Sequence, residues 1–111
     1  MKFIVLSTSS EKSKGVTGKD SLDPEEAYVF TDIYPYTSFH MRSVPFPIDI
    51  AFLDQDCGIL SIKTMEAEEG NAQAPSGTAY AVEASKDFFK GKDLKVDDVW
   101  KEFYNYIKEK S

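Results

Sequence analysis

Two runs of strand-forming residues, Ile48 to Leu53 (IDIAFL) and Ile59 to Met65 (ILSIKTM), flank the cluster Gln55-Asp56-Cys57-Gly58. No other stretch of the chain constrains its fold as strongly. β-formers separated by so short a turn signal pair with each other, so the spacing predicts an antiparallel hairpin. Alternation places Ile48, Ile50 and Phe52 on one face and Asp49, Ala51 and Leu53 on the other. Asp49 therefore falls on a half-apolar face, where an unpaired carboxylate is costly. Its expected partners are the backbone amides of the Met41 to Phe46 segment, or Arg42 itself.

The other elements follow from the same kind of reading. Lys2 to Leu6 (KFIVL) is a strand that stops at Ser-Thr-Ser-Ser, a set of helix N-cap residues. The polar segment after it carries Gly15 and Gly18, so one short turn of helix and then a loop are expected. Ala27 to Ile33 reads as a strand, and Tyr34-Pro35-Tyr36 as a turn. Ser38 to Arg42 reads as a short extended piece, and Pro45-Phe46-Pro47 as an edge or crossing, because each Pro removes a backbone donor. Glu66 to Gly77 (EAEEGNAQAPSG) has no large apolar residue, so it is expected to stay out of the core as a functional or mobile loop. Thr78 to Ala84 is a further strand. Val96, Val99, Trp100, Phe103 and Ile107 then fall on one helical face, which predicts a helix over 97–110 with Tyr104 and Tyr106 off the stripe and exposed. The whole is a single domain over 1–111, of α+β class and mainly β: a small antiparallel β-barrel or sandwich with a C-terminal amphipathic helix.

Charge narrows the partners. Of 111 residues, 19 are acidic and 13 basic, for a net charge of −6, and Arg42 is the lone Arg. Such a surface repels phosphate, so neither nucleic acid nor an anionic membrane is an expected partner. The single Cys, Cys57, cannot form an intrachain disulfide, which points to a cytoplasmic location. Phe3 to Leu6 is too short for a signal-peptide core, although a signal removed before the numbering begins would leave no trace.

Several motifs start well and fail. Asp54-Gln55-Asp56 opens like a calcium loop, but Ile59 and Met65 stand where an EF-hand needs its Gly and its bidentate Glu. Turn Asp residues of this kind ordinarily accept backbone amides. His40 and Cys57 could form a base and nucleophile, yet no local signature supports them, and one His with one Cys falls short of a zinc site. Lys14 to Asp20 (KGVTGKD) invites comparison with a phosphate-binding loop. Ser13 stands in place of its first Gly, and Asp20 in place of the magnesium-binding hydroxyl. No metal and no cofactor is expected.

Phe39-x-Met41, then Pro47-Ile48-Asp49-Ile50-Ala51-Phe52-Leu53-Asp54, then Ile59 and Ile62, resemble the middle of the family known as domain of unknown function 192. That family has F-W-M-x-N-T, and then P-L-D followed by apolar residues, Phe and Asp. The resemblance extends over residues 2–99, with Lys14-Gly15 before the family's G-L-M-F-R box and Ala79 to Glu83 in its V-L-E strand. Departures occur at positions suited to a polar site: His40 for Trp, Ser43-Val44 for Asn-Thr, Val16-Thr17-Gly18-Lys19 for Leu-Met-Phe-Arg, and Asp97 for Gly. The resemblance implies a compact, mostly antiparallel β domain and no particular activity. The helix after Val99 is an addition to the family's usual ending.

For function, the residues support first a non-enzymatic binding or accessory module. Its small polar site would be formed by Phe39, His40, Arg42, Asp49 and Asp54, and its partner would be a small molecule or a protein. The alternatives are a hydrolase or lyase using Asp49 or Asp54 with His40, and a protein-interaction module using the C-terminal helix. The enzyme reading requires His40 to meet one of those carboxylates in a pocket.

Overall fold

The computed structural model describes residues 1–110. In chain order its elements are β1 (Lys2–Leu6), α1 (Ser9–Lys14), β2 (Glu26–Phe30), β3 (Ser38–His40), β4 (Ile48–Leu53), β5 (Ile59–Met65), β6 (Asn71–Gln73), β7 (Tyr80–Ser85), α2 (Phe88–Gly91) and α3 (Lys101–Lys110). The class is α+β and mainly β. β4 and β5 form the expected hairpin, with a register shift at Phe52/Leu53.

The expected closure into a barrel is not found. The main sheet is open, in the order β1-β2-β7-β4-β5, and β3 pairs with β6 in a separate two-stranded sheet. β1 and β5 are opposite edges, so no ladder joins them. Nor is the main sheet wholly antiparallel: β1 runs parallel to β2, Lys2 opposite Glu26 and Leu6 opposite Phe30. Between those strands the chain has to return to the starting end of the sheet, and α1 begins that return. Thr8 caps α1 through reciprocal bonds, the Glu11 amide donating to Thr8 Oγ1 (3.1 Å) and the Thr8 amide to Glu11 Oε1 (3.0 Å). Gly15 ends the helix at φ +49°, a conformation that favours glycine.

Both faces of the sheet are covered, which is why β2, β4 and β7 are buried along almost their whole length. Tyr28, Phe30, Ile48, Ile50 and Phe52 face a core closed by Val16, Met41, Val44, Ala72 and Ala74. Val29, Ala51, Leu53 and Val82 face a second core closed by Phe88, Phe89, Trp100 and Phe103.

Three expectations about the outer layers are corrected. Glu66 to Gly77 does enter the core: it carries β6, and Ala72 and Ala74 are buried by virtue of their small size. The helix begins at Lys101 rather than at 97. Asp97 has φ +80°, and the preceding segment is tied to the hairpin, with the Asp97 amide donating to the Ile59 carbonyl and the Trp100 amide to the Cys57 carbonyl. Val96 and Val99 are consequently 47% and 50% exposed and do not join the apolar face. Tyr104 and Tyr106 are half-buried against the second core, Tyr106 lying 4.8 Å from the Phe3 ring.

Candidate functional site

Where α1 ends, the chain leaves the sheet surface and leaves a hollow between itself and β3. This cavity has a volume of about 250 Å³ and is lined by Lys12 to Thr17 on one side and Thr37 to Met41 on the other. Phe30, Ile33, Phe39, Met41 and Val44 supply an apolar wall, while Ser13, Thr17, Thr37, Ser38 and His40 line the cavity with polar groups. Phe39 is fixed there edge-on to Phe30 (5.2 Å between ring centres) and against Phe52 (5.7 Å).

Glu83 lies at its floor. It is near the middle of the central strand β7, opposite Tyr28 on one side and Ile50 on the other, and only 5% exposed. No described residue gives its carboxyl a hydrogen bond or an ion pair. No described side-chain polar atom that is fully sealed from solvent lacks a partner, so these oxygens open onto the cavity. Burial alone raises the carboxyl to about 8, because the charged form would lose its hydration without replacement. At neutral pH the group is a neutral acid, able both to donate and to accept.

The sequence-derived candidates separate across the sheet. Phe39 and His40 line the cavity, and the exposed Arg42 stands beside it, its amide donating to His40 Nδ1 at 3.4 Å. Asp49 is on the opposite face. Its carboxylate accepts from Thr64 Oγ1 (2.7 Å) and the Asp87 amide (3.0 Å), not from the Met41 to Phe46 segment or Arg42, which lie on the other side of the strand. Asp54 anchors the hairpin turn, accepting the Asp56 and Gly58 amides, each at 2.9 Å. The cavity that His40 lines therefore holds neither Asp49 nor Asp54. Cys57 is a buried residue of that turn, and its thiol is pushed up to about 11 by burial and then by the Asp54 and Asp56 carboxylates. That makes it a poor nucleophile. Among the described residues no group of three or more His, Cys, Asp or Glu is placed to hold a metal ion.

Glu83 is the residue that sequence reasoning missed. Its signal was a single carboxylate within YAVEA on the same face as Ala81, a position where a strand buried on both faces has no water to offer.

The profile of the family described as Uncharacterized ACR, DUF192, matches residues 1–101. The chain belongs to the DUF192 family. The DUF192 match includes Lys101, the first residue of α3, and stops there. Among solved structures the DUF192 fold here is similar to a protein of unknown function from Novosphingobium aromaticivorans, at 26% identity and TM-score 0.76, with 87% of this chain and 71% of that one covered. It is also similar to a protein from Sinorhizobium meliloti described as a candidate transcription regulator. Identity there is 18% and TM-score 0.77, over 87% of this chain and 78% of the other. A comparison with curated proteins found no match.

Proposed function

We propose that the protein is a non-enzymatic binding module for a small molecule, and that its site is the cavity between α1 and β3 with Glu83 as the polar anchor. Phe39 and His40 belong to that site, and Arg42 borders it. Asp49 and Asp54 belong to the framework, since their oxygens already hold hydroxyl and backbone donors. One observation carries the reading: a buried carboxyl without a protein partner, at the floor of an open cavity. A protein gains nothing in stability from such a group, so its presence is accounted for by something that enters. Native mass spectrometry of the protein taken from its own cells tests this. A bound small molecule is expected on the wild type and not on Glu83→Gln; a wild type recovered without one, or a variant that retains it fully, removes the proposal.

A second reading, acid–base chemistry on a small polar substrate, draws on the raised pKa of Glu83 in the cavity that His40 also lines. It requires a pH–rate profile that both His40→Ala and Glu83→Gln abolish. The regulator description of the Sinorhizobium protein lends no support to DNA binding here: at 18% identity the likeness is one of fold, and the net charge of −6 disfavours phosphate.

A further inference from the structure

The two buried acids of this fold are treated in opposite ways. Asp49 and Glu83 are both 5% exposed. Asp49 is met by a threonine hydroxyl and a backbone amide, whereas Glu83 is met by no described residue. Any donor to Glu83 from outside the protein reaches it through the cavity. Phe30, Phe39 and Met41 form an apolar wall beside it, and the half-buried Lys12 and the exposed Lys14 of α1 also line the cavity. The cavity thus offers a buried acceptor, an apolar wall and cationic groups nearer the solvent.

Resting on the binding reading above, we infer that the ligand is a small zwitterion of ω-amino-acid type: an ammonium that reaches Glu83, an apolar spacer along Phe30, Phe39 and Met41, and an anionic group left among Lys12 and Lys14. A volume of about 250 Å³ suits a molecule of roughly ten non-hydrogen atoms, given that a dry cavity of about 150 Å³ holds a benzene. An ammonium is preferred to a hydroxyl because the carboxyl has no cation of its own. Bringing one to it yields a charge-assisted bond, about twice as strong as a neutral one. The other titratable groups around Glu83 are Lys12 and Lys14 from α1, His40 from β3 and the neighbouring Tyr28 of β2; β4 contributes only Ile50. Since Glu83 is protonated when the cavity is empty at neutral pH, the ammonium displaces that proton.

Isothermal titration calorimetry on the full chain tests this with ε-aminocaproate as probe, beside ε-hydroxycaproate, which lacks the cation, and hexylamine, which lacks the anion. The amino acid should bind about tenfold or more tightly than the hydroxy acid. Titration in buffers of differing ionisation enthalpy should show about one proton released, with affinity rising from about pH 6 to about pH 8.5. Glu83→Gln should abolish the preference and the proton release. Lys12→Ala with Lys14→Ala, both away from the core, should weaken ε-aminocaproate and leave hexylamine unchanged. Equal binding of the hydroxy acid, or binding without proton release, overturns this ligand class while leaving the cavity a binding site. Failure of all three probes also overturns it, and the binding reading then stands or falls on the native mass spectrum.

Discussion

Replacing Glu83 by Gln keeps the shape of the side chain and removes its ionisation, which isolates the cost of burying that carboxyl. In the unfolded chain the group ionises near its ordinary value of 4.5, and in the folded protein only near about 8. Between those values the folded state holds one more proton than the unfolded state. Stability is therefore fully present below about pH 4.5 and falls as pH rises towards about 8, by up to about 1.4 kcal/mol per pH unit. The whole interval corresponds to roughly 5 kcal/mol, of which water reaching the carboxyl through the cavity mouth gives back a part. Against a total stability of about 5–15 kcal/mol for a domain of this kind, the effect is large. The assay is urea unfolding from about pH 5 to about pH 8.5, followed by the fluorescence of Trp100, which is 2% exposed. Glu83→Gln should match the wild type within about 1 kcal/mol at the acid end and exceed it by several kcal/mol at the alkaline end. Parallel stability curves for the two proteins, or a Glu83 carboxyl seen by NMR to titrate near its ordinary value, would refute the reasoning.

Asp49→Ala should cost about 2–3 kcal/mol in the same urea assay, because it strips the Asp87 amide and the Thr64 hydroxyl of their shared acceptor; Thr64→Val in that background should add little. Cys57 should resist alkylation at mildly alkaline pH while the chain is folded and react on unfolding, since it is 0% exposed and its thiol is raised to about 11. Mass spectrometry of the modified protein at increasing urea reads the transition. Gly70→Ala should destabilise by several kcal/mol, because its Cβ would fall on the Glu66 backbone, 2.8 Å from the carbonyl oxygen, whereas Gly91→Ala meets nothing within 4 Å and should be close to neutral. Equal melting temperatures for the two glycine variants would contradict the packing of the 66–70 turn.

Local signals were strong enough to place the hairpin, the capped turn of helix after β1, and the faces of β4. They work over a few residues, where alternation and turn chemistry act directly. The parallel pairing of β1 with β2 and the separate β3–β6 sheet depend on which distant strands meet, and nothing in KFIVL or NAQ specifies a partner. Val96 and Val99 had helical spacing, but the hydrogen bonds to Ile59 and Cys57 overrode it. At the candidate site, Phe39 and His40 drew notice because His40 is the lone His and Phe39 falls in the family-like Phe39-x-Met41 pattern. Glu83 escaped because its meaning lies in what surrounds it: an acid in a strand is ordinary until β2 and β4 are seen on either side.

Phe3 of β1 packs within 5.5 Å of Trp100 and 5.4 Å of Phe103, residues made almost a whole chain later. On the ribosome β1 must therefore wait for α3, which emerges much later. Until then Phe88, Phe89 and the outer side of the sheet have no cover, and the nascent chain presents sticky aromatic surface. Synthesis that stalls before Trp100 would release a product with its hairpin intact and its second core open, a natural client for chaperones and proteases. The segment from Trp100 through α3 thus acts as the seal that closes the second core.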